Sequence, residues 1–277
     1  MGKEFITRDI SAVMLEMYKY FPVLTMTGPR QSGKTTLLRK VFKDLPYYSL
    51  ENLDIRHFAL NDPVGFLNQH PEGMILDEVQ NTPDLLSYIQ GLVDHNPEKR
   101  FVLSGSSQFS VIVKITQSLA GRTGVLELMP LAYNEIKSKA DEKSLDELLL
   151  TGFYPALHSG KNIPGLFYPS YVKTYLERDV RDLLQIKDMM QFQAFLKLCA
   201  GRIGSLFNAS ELSGEVGVSV NTIKSWISVL QASYIIKLLP PFYENISKRL
   251  TKTPKLYFYD TGLACYLLDI ETEQQLT

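Results

Sequence analysis

The sequence predicts an α/β protein in which a parallel sheet covered by helices is followed by a helical region with a winged helix-turn-helix. Short apolar runs alternate with helical patterns as far as residue 128, which is typical of a parallel sheet buried on both faces. From about Leu131 the alternation stops and helical spacing dominates. A loop-rich stretch at 158–165 marks the joint between two predicted domains, 1–160 and 161–277.

The composition favours a cytoplasmic protein with an ordinary hydrophobic core. Of 277 residues 45% are hydrophobic, and the net charge of −1 gives no overall attraction to nucleic acid or membrane. The only cysteines, Cys199 and Cys265, lie in apolar helical patterns, which argues against a disulfide framework. No signal-peptide pattern opens the chain, and no apolar run reaches the ~18 residues that span a bilayer. We expect no membrane partner.

The first predicted domain alternates strands and helices around one loop. A helix over 10–18 leads to a strand at 23–26, and the loop after it opens a helix over 36–42. The remaining elements are strands at 46–50, 73–76, 101–103 and 123–128, with helices over 54–60 and from Pro83.

The second predicted domain is helical apart from one pair of strands. Its first helices are expected over 141–150, 168–184 and 190–203. A short helix over 209–215 and a second helix from Ser219 have the proportions of a helix-turn-helix, with strands at 234–239 and 256–259 as the wing. Such a unit either contacts DNA or a protein partner, or couples domains rigidly. The residues expected on the outer face of its second helix are Asn221, Thr222, Lys224 and Ser225.

The loop after the first strand fits the phosphate-binding pattern G-x-x-x-x-G-K-[ST], which defines a P-loop NTPase core. Its glycines free the backbone so that successive N–H groups and the helix N-terminus point at a polyphosphate. Lys34 adds a positive charge at the β- and γ-phosphates, and Thr35 is expected to hold Mg²⁺. The alternative is a chance glycine-rich turn. The predicted nucleotide-binding residues of this loop are Gly28, Pro29, Arg30, Gln31, Ser32, Gly33, Lys34, Thr35 and Thr36.

Two acids, Asp77 and Glu78, end the apolar strand at 73–76. Carboxylates at the carboxyl edge of a parallel sheet lie beside a phosphate loop, so we expect Asp77 to serve Mg²⁺ and Glu78 to orient and deprotonate the attacking water. The alternative is a pair of solvated acids. A strand and a helix separate the loop from the acids, unlike the layout of kinases and small GTPases, and no Asn-Lys-x-Asp segment exists to read guanine. The predicted nucleotide is therefore ATP.

Three further residues are candidates with open alternatives. Ser104 and Ser106 follow the next strand and either bond the γ-phosphate or the water, or have a purely structural role. Arg122 precedes the last strand of the first domain. It either stabilises charge on the γ-phosphate, in its own or a neighbouring subunit of an oligomer, or is a salt-bridged surface residue.

Five segments taken in order resemble prokaryotic AAA-type ATPases with an AAA_14 core and a DUF4143 C-terminal region. They are 28–37, 76–80, 103–107, 118–122 with 130–131, and 175–180. The resemblance implies an ATPase core of the additional-strand, catalytic-glutamate (ASCE) division, with ATP and Mg²⁺, then a helical region with a winged helix. It carries over the roles of Gly33, Lys34, Thr35, Asp77 and Glu78, and less directly those of Ser106, Gln80 and Arg122. Family members generally continue into a restriction-endonuclease-like fold, which we expect this chain to lack.

The sequence therefore leaves two main hypotheses for the function. The first is a Mg²⁺-dependent ATPase whose nucleotide state repositions the winged-helix region. The second is an ATP-gated switch with slow turnover that docks DNA or protein through the winged helix. A DNA-binding protein with a vestigial phosphate loop is a third reading.

Overall fold

The structure is a computed structural model that describes residues 5–105, 118–141, 143–160, 162–176, 188–244 and 252–276, with backbone alone at 139, 175 and 176. The chain forms two compact units. The first is Thr7–Met129, and the second takes in Phe5, Ile6 and the residues from Pro130 onward. Within the described ranges no helix combines the length and the apolarity needed to cross a membrane.

The first unit alternates strands and helices, as the sequence predicts. Its elements are α1 (Ile10–Tyr20), β1 (Val23–Thr27), α2 (Lys34–Val41), β2 (Tyr47–Ser49), α3 (Leu53–Asn61), α4 (Pro63–Asn68), β3 (Gly73–Asp77), α5 (Leu85–His95), β4 (Arg100–Ser104) and β5 (Thr123–Glu127). The strands form one parallel sheet in the order β2-β3-β4-β1-β5. β4 thus lies between the strand that precedes the loop and the strand that ends in the acids.

Helices contact both faces of this sheet. Alternate strand residues, among them Met74, Leu76 and Leu103, share a buried cluster with Ile89 and other residues of α5. The intervening residues, such as Ile75, face the other way because strand side chains alternate, and there α2 contacts β3 and β4. β1 and β3 are buried along their whole length, which explains their continuous apolar sequence.

The second unit is helical with one small sheet. Its elements are a 3₁₀ turn (Tyr133–Ile136), α6 (Lys137–Ala140), α7 (Leu145–Thr151), α8 (Pro155–His158), α9 (Pro164–Tyr171) continuing as a π-helix (Val172–Leu176), α10 (Met189–Ala200), α11 (Ala209–Val216), α12 (Val220–Ala232), β6 (Ile236–Leu239), β7 (Lys255–Phe258), α13 (Thr261–Leu267) and a second 3₁₀ turn (Glu273–Gln275). The predicted helix over 168–184 is described as far as residue 176, and 177–187 lie outside the described residues.

The chain passes from the first unit to the second between Met129 and Pro130, about 30 residues before the predicted joint at 160. The reason is a buried carboxylate. Asp260 accepts hydrogen bonds from the Phe153 N–H at 2.7 Å, the Tyr168 hydroxyl at 2.7 Å and the Leu263 N–H at 2.8 Å. These bonds and the packing of α7 on α13 tie 145–153 to the C-terminal helix. As functional domains, 1–160 and 161–277 stay a prediction.

The helices and strands expected around 209–259 are present. Gly217, at a φ of 76°, ends α11, and the Ser219 hydroxyl caps α12 by accepting from the Thr222 N–H. On α12 Trp226 and three aliphatic residues are buried, while Asn221, Lys224 and Ser225 are exposed and Thr222 is half-buried. β6 and β7 form an antiparallel pair.

Candidate functional site

The loop Gly28–Thr36 lies where β1 passes into α2. Gly33 takes the left-handed conformation, with a φ of 95°, directly before the first helical residue. Gly28 has a φ of 142°, and a Cβ there would lie 2.2 Å from the carbonyl oxygen of Leu128. Both fixed glycines of the pattern are therefore required by the backbone itself.

Lys34 is buried in the loop with a side-chain ammonium that bonds the loop's own backbone. Its Nζ donates to the carbonyl oxygens of Gly28 at 2.8 Å and Pro29 at 2.9 Å, and the residue is 6% exposed. Burial lowers the pKa of Lys34 to about 8, although the nearby carboxylates of Glu78 and Asp77 act in the opposite direction. An anionic ligand of Lys34 would have to replace these two carbonyl oxygens as hydrogen-bond acceptors.

Asp77 is the common acceptor of three hydroxyl groups from three different elements. Its Oδ2 accepts from Thr35 Oγ1 at 2.6 Å and from the Tyr47 hydroxyl at 2.8 Å, and its Oδ1 accepts from Ser104 Oγ. The strand order brings these residues together, because β2 and β4 flank β3. Burial, followed by the hydrogen bond to Asp77, raises the pKa of Tyr47 above its ordinary value. The prediction that Thr35 and Asp77 share one site is consistent with this geometry.

Tyr47 is a site residue that the sequence analysis did not single out. It reads as an ordinary aromatic residue of a short strand, and only the pairing of β2 with β3 places its hydroxyl on Asp77. A polar-tipped aromatic residue on the strand next to the acidic strand is the signal that could have found it.

Glu78 follows β3 in a left-handed conformation, with φ 58° and ψ 46°. Few residues other than glycine adopt it, and such outliers cluster at functional sites. A 3₁₀ turn over Val79–Asn81 comes next, and from it the Gln80 amide donates to Glu78 Oε2. The carboxylate is therefore restrained by its own turn.

Arg8 contacts the backbone of the phosphate loop, and it is a second residue that the sequence pattern does not reveal. It is 6% exposed and donates from Nη1 to the Ser32 carbonyl oxygen at 2.9 Å and from Nη2 to that of Met129 at 2.7 Å. Nothing in the sequence signals it, because the partners are 24 and 121 residues away.

The oxygen groups of the loop and of Asp77 fit Mg²⁺ and a polyphosphate. Thr35 and Asp77 supply a hydroxyl and a carboxylate within hydrogen-bond distance, which are the ligand types that Mg²⁺ prefers. Ser32 is fully buried, and its hydroxyl lacks a hydrogen-bond partner among the described residues. Buried polar groups are normally satisfied, so this hydroxyl in a phosphate loop fits a phosphate oxygen as its partner.

Arg122 lies at the amino ends of the strands, whereas the phosphate loop lies at their carboxyl ends. It precedes Thr123, which pairs with Val23 at the start of β1, whereas the loop follows Thr27 at the end of β1. Five residues of strand span about 16 Å. Its guanidinium makes a bidentate ion pair with Asp94, at 2.6 and 2.9 Å. The structure thus places Arg122 in the surface ion pair, and a role across a subunit boundary stays a prediction.

The remaining predicted residues take varied positions. Gln31 is exposed with a φ of 64°, Thr36 is exposed on the first turn of α2, and Arg30 is half-buried in the loop. Ser106 lies outside the described residues. Ser104, the other serine considered at this strand end, is the one seen to bond Asp77.

Family models match the chain in two separate stretches. Residues 20–137 match the AAA domain model AAA_14, a stretch that holds the loop, both acids and all five sheet strands. This stretch is therefore similar to AAA domains. Residues 142–274 match a domain of unknown function, DUF8612, so the DUF4143 region that the sequence analysis expects is not shown.

Known proteins match the chain across both of these stretches. Two uncharacterized proteins, Mb2031c of Mycobacterium bovis and Rv2008c of Mycobacterium tuberculosis, are each 33% identical over 270 residues, which is 95% of this chain. The chain spans 60% of the length of each relative. The Walker-type ATPase paby2304 of Pyrococcus abyssi is similar in structure, with a TM-score of 0.62, 13% identity, and coverage of 95% of this chain and 96% of that one. At this identity the likeness shows the fold.

Proposed function

We propose that the protein is a Mg²⁺-dependent ATP hydrolase whose nucleotide state controls its C-terminal region. One observation carries the proposal. Asp77 accepts hydrogen bonds from the hydroxyl groups of Thr35 in the phosphate loop and Ser104 on the intervening strand, and Glu78 is the next residue in the sequence. A loop hydroxyl, an acid and a neighbouring glutamate at one edge of a parallel sheet are the components of phosphoryl transfer to water.

Each residue has a role that its contacts support. Lys34 leaves the Gly28 and Pro29 carbonyls and binds the β- and γ-phosphates. Thr35 and Asp77 hold Mg²⁺, which neutralises charge on those phosphates when bound. Glu78 accepts a proton from the attacking water, and Ser104 and Tyr47 keep the Asp77 carboxylate in place.

Binding and turnover test the proposal separately. MgATP at ~100 times its Kd should stabilise the wild-type protein by ~2.7 kcal/mol in thermal unfolding. Lys34→Ala should lose this stabilisation, whereas Glu78→Gln should keep it and lose turnover by ~10²–10⁴-fold. A wild-type protein that MgATP does not stabilise would support the vestigial-loop alternative.

A slow ATP-gated switch is the second candidate, and the contact between Gln80 and Glu78 favours it. The Gln80 amide donates to Glu78 Oε2, one of the two carboxylate oxygens that could take the proton of the attacking water. If this restraint persists with ATP bound, one turnover is slow and the ATP state is long-lived. Single-turnover and steady-state rates of wild type and Gln80→Ala decide: a faster Gln80→Ala supports the switch, and a slower one shows that Gln80 positions the base for catalysis.

We further propose that α11, α12, β6 and β7 act as a winged helix-turn-helix that docks DNA or a protein partner. The exposed face of α12 with Asn221, Lys224 and Ser225 supports docking. α11 contains no basic residue, and its two acids, Glu211 and Glu215, pair with Arg202 from the turn after α10, so this helix adds no positive charge. Duplex binding by fluorescence anisotropy at several salt concentrations tests it: Lys224→Ala should reduce the salt slope by about 1 if DNA is the partner. A salt slope unchanged by Lys224→Ala removes Lys224 from the DNA contacts, and a wild type that binds no duplex argues for a protein partner.

A further inference from the structure

Arg8 is a buried cation that the proposed chemistry does not use. Its two terminal nitrogens bond two carbonyl oxygens that are far apart in sequence, those of Ser32 in the loop and of Met129 after β5. A guanidinium stays protonated in proteins, so a full positive charge is held against both carbonyls. Burying a charge costs free energy unless the charge is well hydrogen-bonded, so the Arg8 side chain is held at these two carbonyl groups.

The bond to Ser32 sets the direction of a predicted phosphate donor. The Ser32 carbonyl belongs to the peptide that precedes Gly33. Because a trans peptide is planar with its C=O and N–H opposed, holding the carbonyl on Arg8 turns the Gly33 N–H away from Arg8. In a phosphate loop such N–H groups hold the α- and β-phosphates. The charge on the carbonyl side also polarises the peptide and strengthens its N–H as a donor.

The bond to Met129 reaches the place where the chain leaves the first unit. Met129 is the last residue of that unit, and Arg8 is the second residue after the other crossing, between Ile6 and Thr7. The neighbouring Leu128 also touches the loop: its N–H donates to the Thr27 carbonyl at 2.8 Å, and its carbonyl oxygen is the atom that a Cβ on Gly28 would meet. Arg8 thus connects the loop with both crossings.

We propose that Arg8 is a positioning residue that links the shape of the phosphate loop to the two chain crossings. A bound polyphosphate stabilises the loop conformation in which Ser32 accepts from Arg8, and this in turn orders the chain at 128–131. The inference rests on the proposed nucleotide-binding function. It makes Arg8 act through the Ser32 and Met129 peptides and not by contact with the nucleotide.

Two variants of Arg8 and one matched control test the link. Arg8→Gln removes the charge, and Arg8→Lys keeps the charge but not the two-pronged geometry. Lys99→Gln is the control: Lys99 is 4% exposed and donates to the Leu67 carbonyl at 2.7 Å, but it precedes β4 at the edge of the sheet opposite the loop. Dissociation constants are measured for MgATP, MgADP and pyrophosphate, and amide hydrogen exchange is measured over 125–131 with and without MgADP.

The expected result is a joint loss of affinity and of order. Arg8→Gln should weaken all three ligands by about tenfold, comparable to one hydrogen bond involving a charged group, and should abolish ligand-dependent protection of 125–131. Arg8→Lys should lie between Arg8→Gln and wild type, and it supplies the measurement if Arg8→Gln does not fold. Lys99→Gln should lower the melting temperature and leave affinity and protection unchanged.

The failures are distinguishable. If the Arg8 variants bind all three ligands like wild type and lose only melting temperature, as the control does, the positioning role is overturned and the proposed function stands. If affinity falls but protection of 125–131 stays, the link to the crossings is overturned. If wild type binds none of the three, the proposed function fails, and this inference fails with it.

Discussion

The pKa of Lys34 predicts how nucleotide affinity depends on pH. With a pKa of about 8 in the nucleotide-free protein, roughly nine-tenths of the molecules carry the charge at pH 7 and roughly one-tenth at pH 9. Only the ammonium form binds phosphate strongly. The dissociation constant for MgATP should therefore rise about tenfold between pH 7 and pH 9, which corresponds to ~1.4 kcal/mol.

The assay is the displacement of a fluorescent ATP analogue across this pH range, with Lys34→Arg as the comparison. The guanidinium of the variant stays protonated throughout, so its residual pH dependence reports the nucleotide and the other groups. A lysine with an ordinary pKa of 10.5 would stay charged over the whole range. A change in wild-type affinity of less than twofold, or the same change in Lys34→Arg, would refute the reasoning.

The same lowered pKa also affects the stability of the protein. Nucleotide affinity should fall as the pH rises, whereas the contribution of Lys34 to stability should rise. Between about pH 8 and pH 10.5 the unfolded chain binds the Lys34 proton and the folded protein does not. Unfolding then takes up a proton, so the contribution of Lys34 to the free energy of unfolding rises with pH across this window. Urea unfolding of the nucleotide-free protein, with Lys34→Arg subtracted, should show this rise.

Three further variants alter named contacts. Asp77→Asn, whose amide cannot accept all three hydroxyl bonds, should raise the Mg²⁺ concentration for half-maximal turnover by ~10–100-fold. Gly28→Ala should cost ~1–3 kcal/mol in urea unfolding and abolish nucleotide binding, because its Cβ meets Leu128, whereas Gly91→Ala, with nothing within 4 Å, should not destabilise. Asp260→Asn should cost about 2–3 kcal/mol in urea unfolding and leave the MgATP dissociation constant unchanged; an equal stability to wild type would contradict the role given to its three hydrogen bonds.

The sequence predicts the loop and the acids because each is a contiguous pattern with a strand before it. No knowledge of the fold is needed to choose Lys34, Thr35, Asp77 and Glu78. The choice of Tyr47 does require the fold, because its hydroxyl reaches Asp77 only through the pairing of two strands. Non-local contacts of this kind leave no periodic signal in a single sequence.

Arg122 is a different case, because strand direction, which the sequence already indicates, bears on its two alternatives. In a parallel sheet the residue before a strand and the residue after a strand lie at opposite edges. Lys34 and Asp77 follow or end their strands, whereas Arg122 precedes its strand. Strand direction alone therefore separates Arg122 from the loop of its own chain. The boundary between the two compact units leaves no local signal either, since it depends on the hydrogen bond from the Phe153 N–H to Asp260, 107 residues away.

The contacts of Lys34 and Glu78 suggest why binding and turnover should be separable in this protein. Lys34 bonds the Gly28 and Pro29 carbonyls, and Glu78 accepts from Gln80, so both groups already have partners before any nucleotide binds. We expect a polyphosphate to exchange the partners of Lys34 directly, because it supplies stronger, charged acceptors. It offers no such exchange to Glu78, which gains only when a water lies between it and the γ-phosphate. If turnover requires Glu78 to leave Gln80, that release is a separate step after ATP binding, and its free energy decides between a hydrolase and a switch.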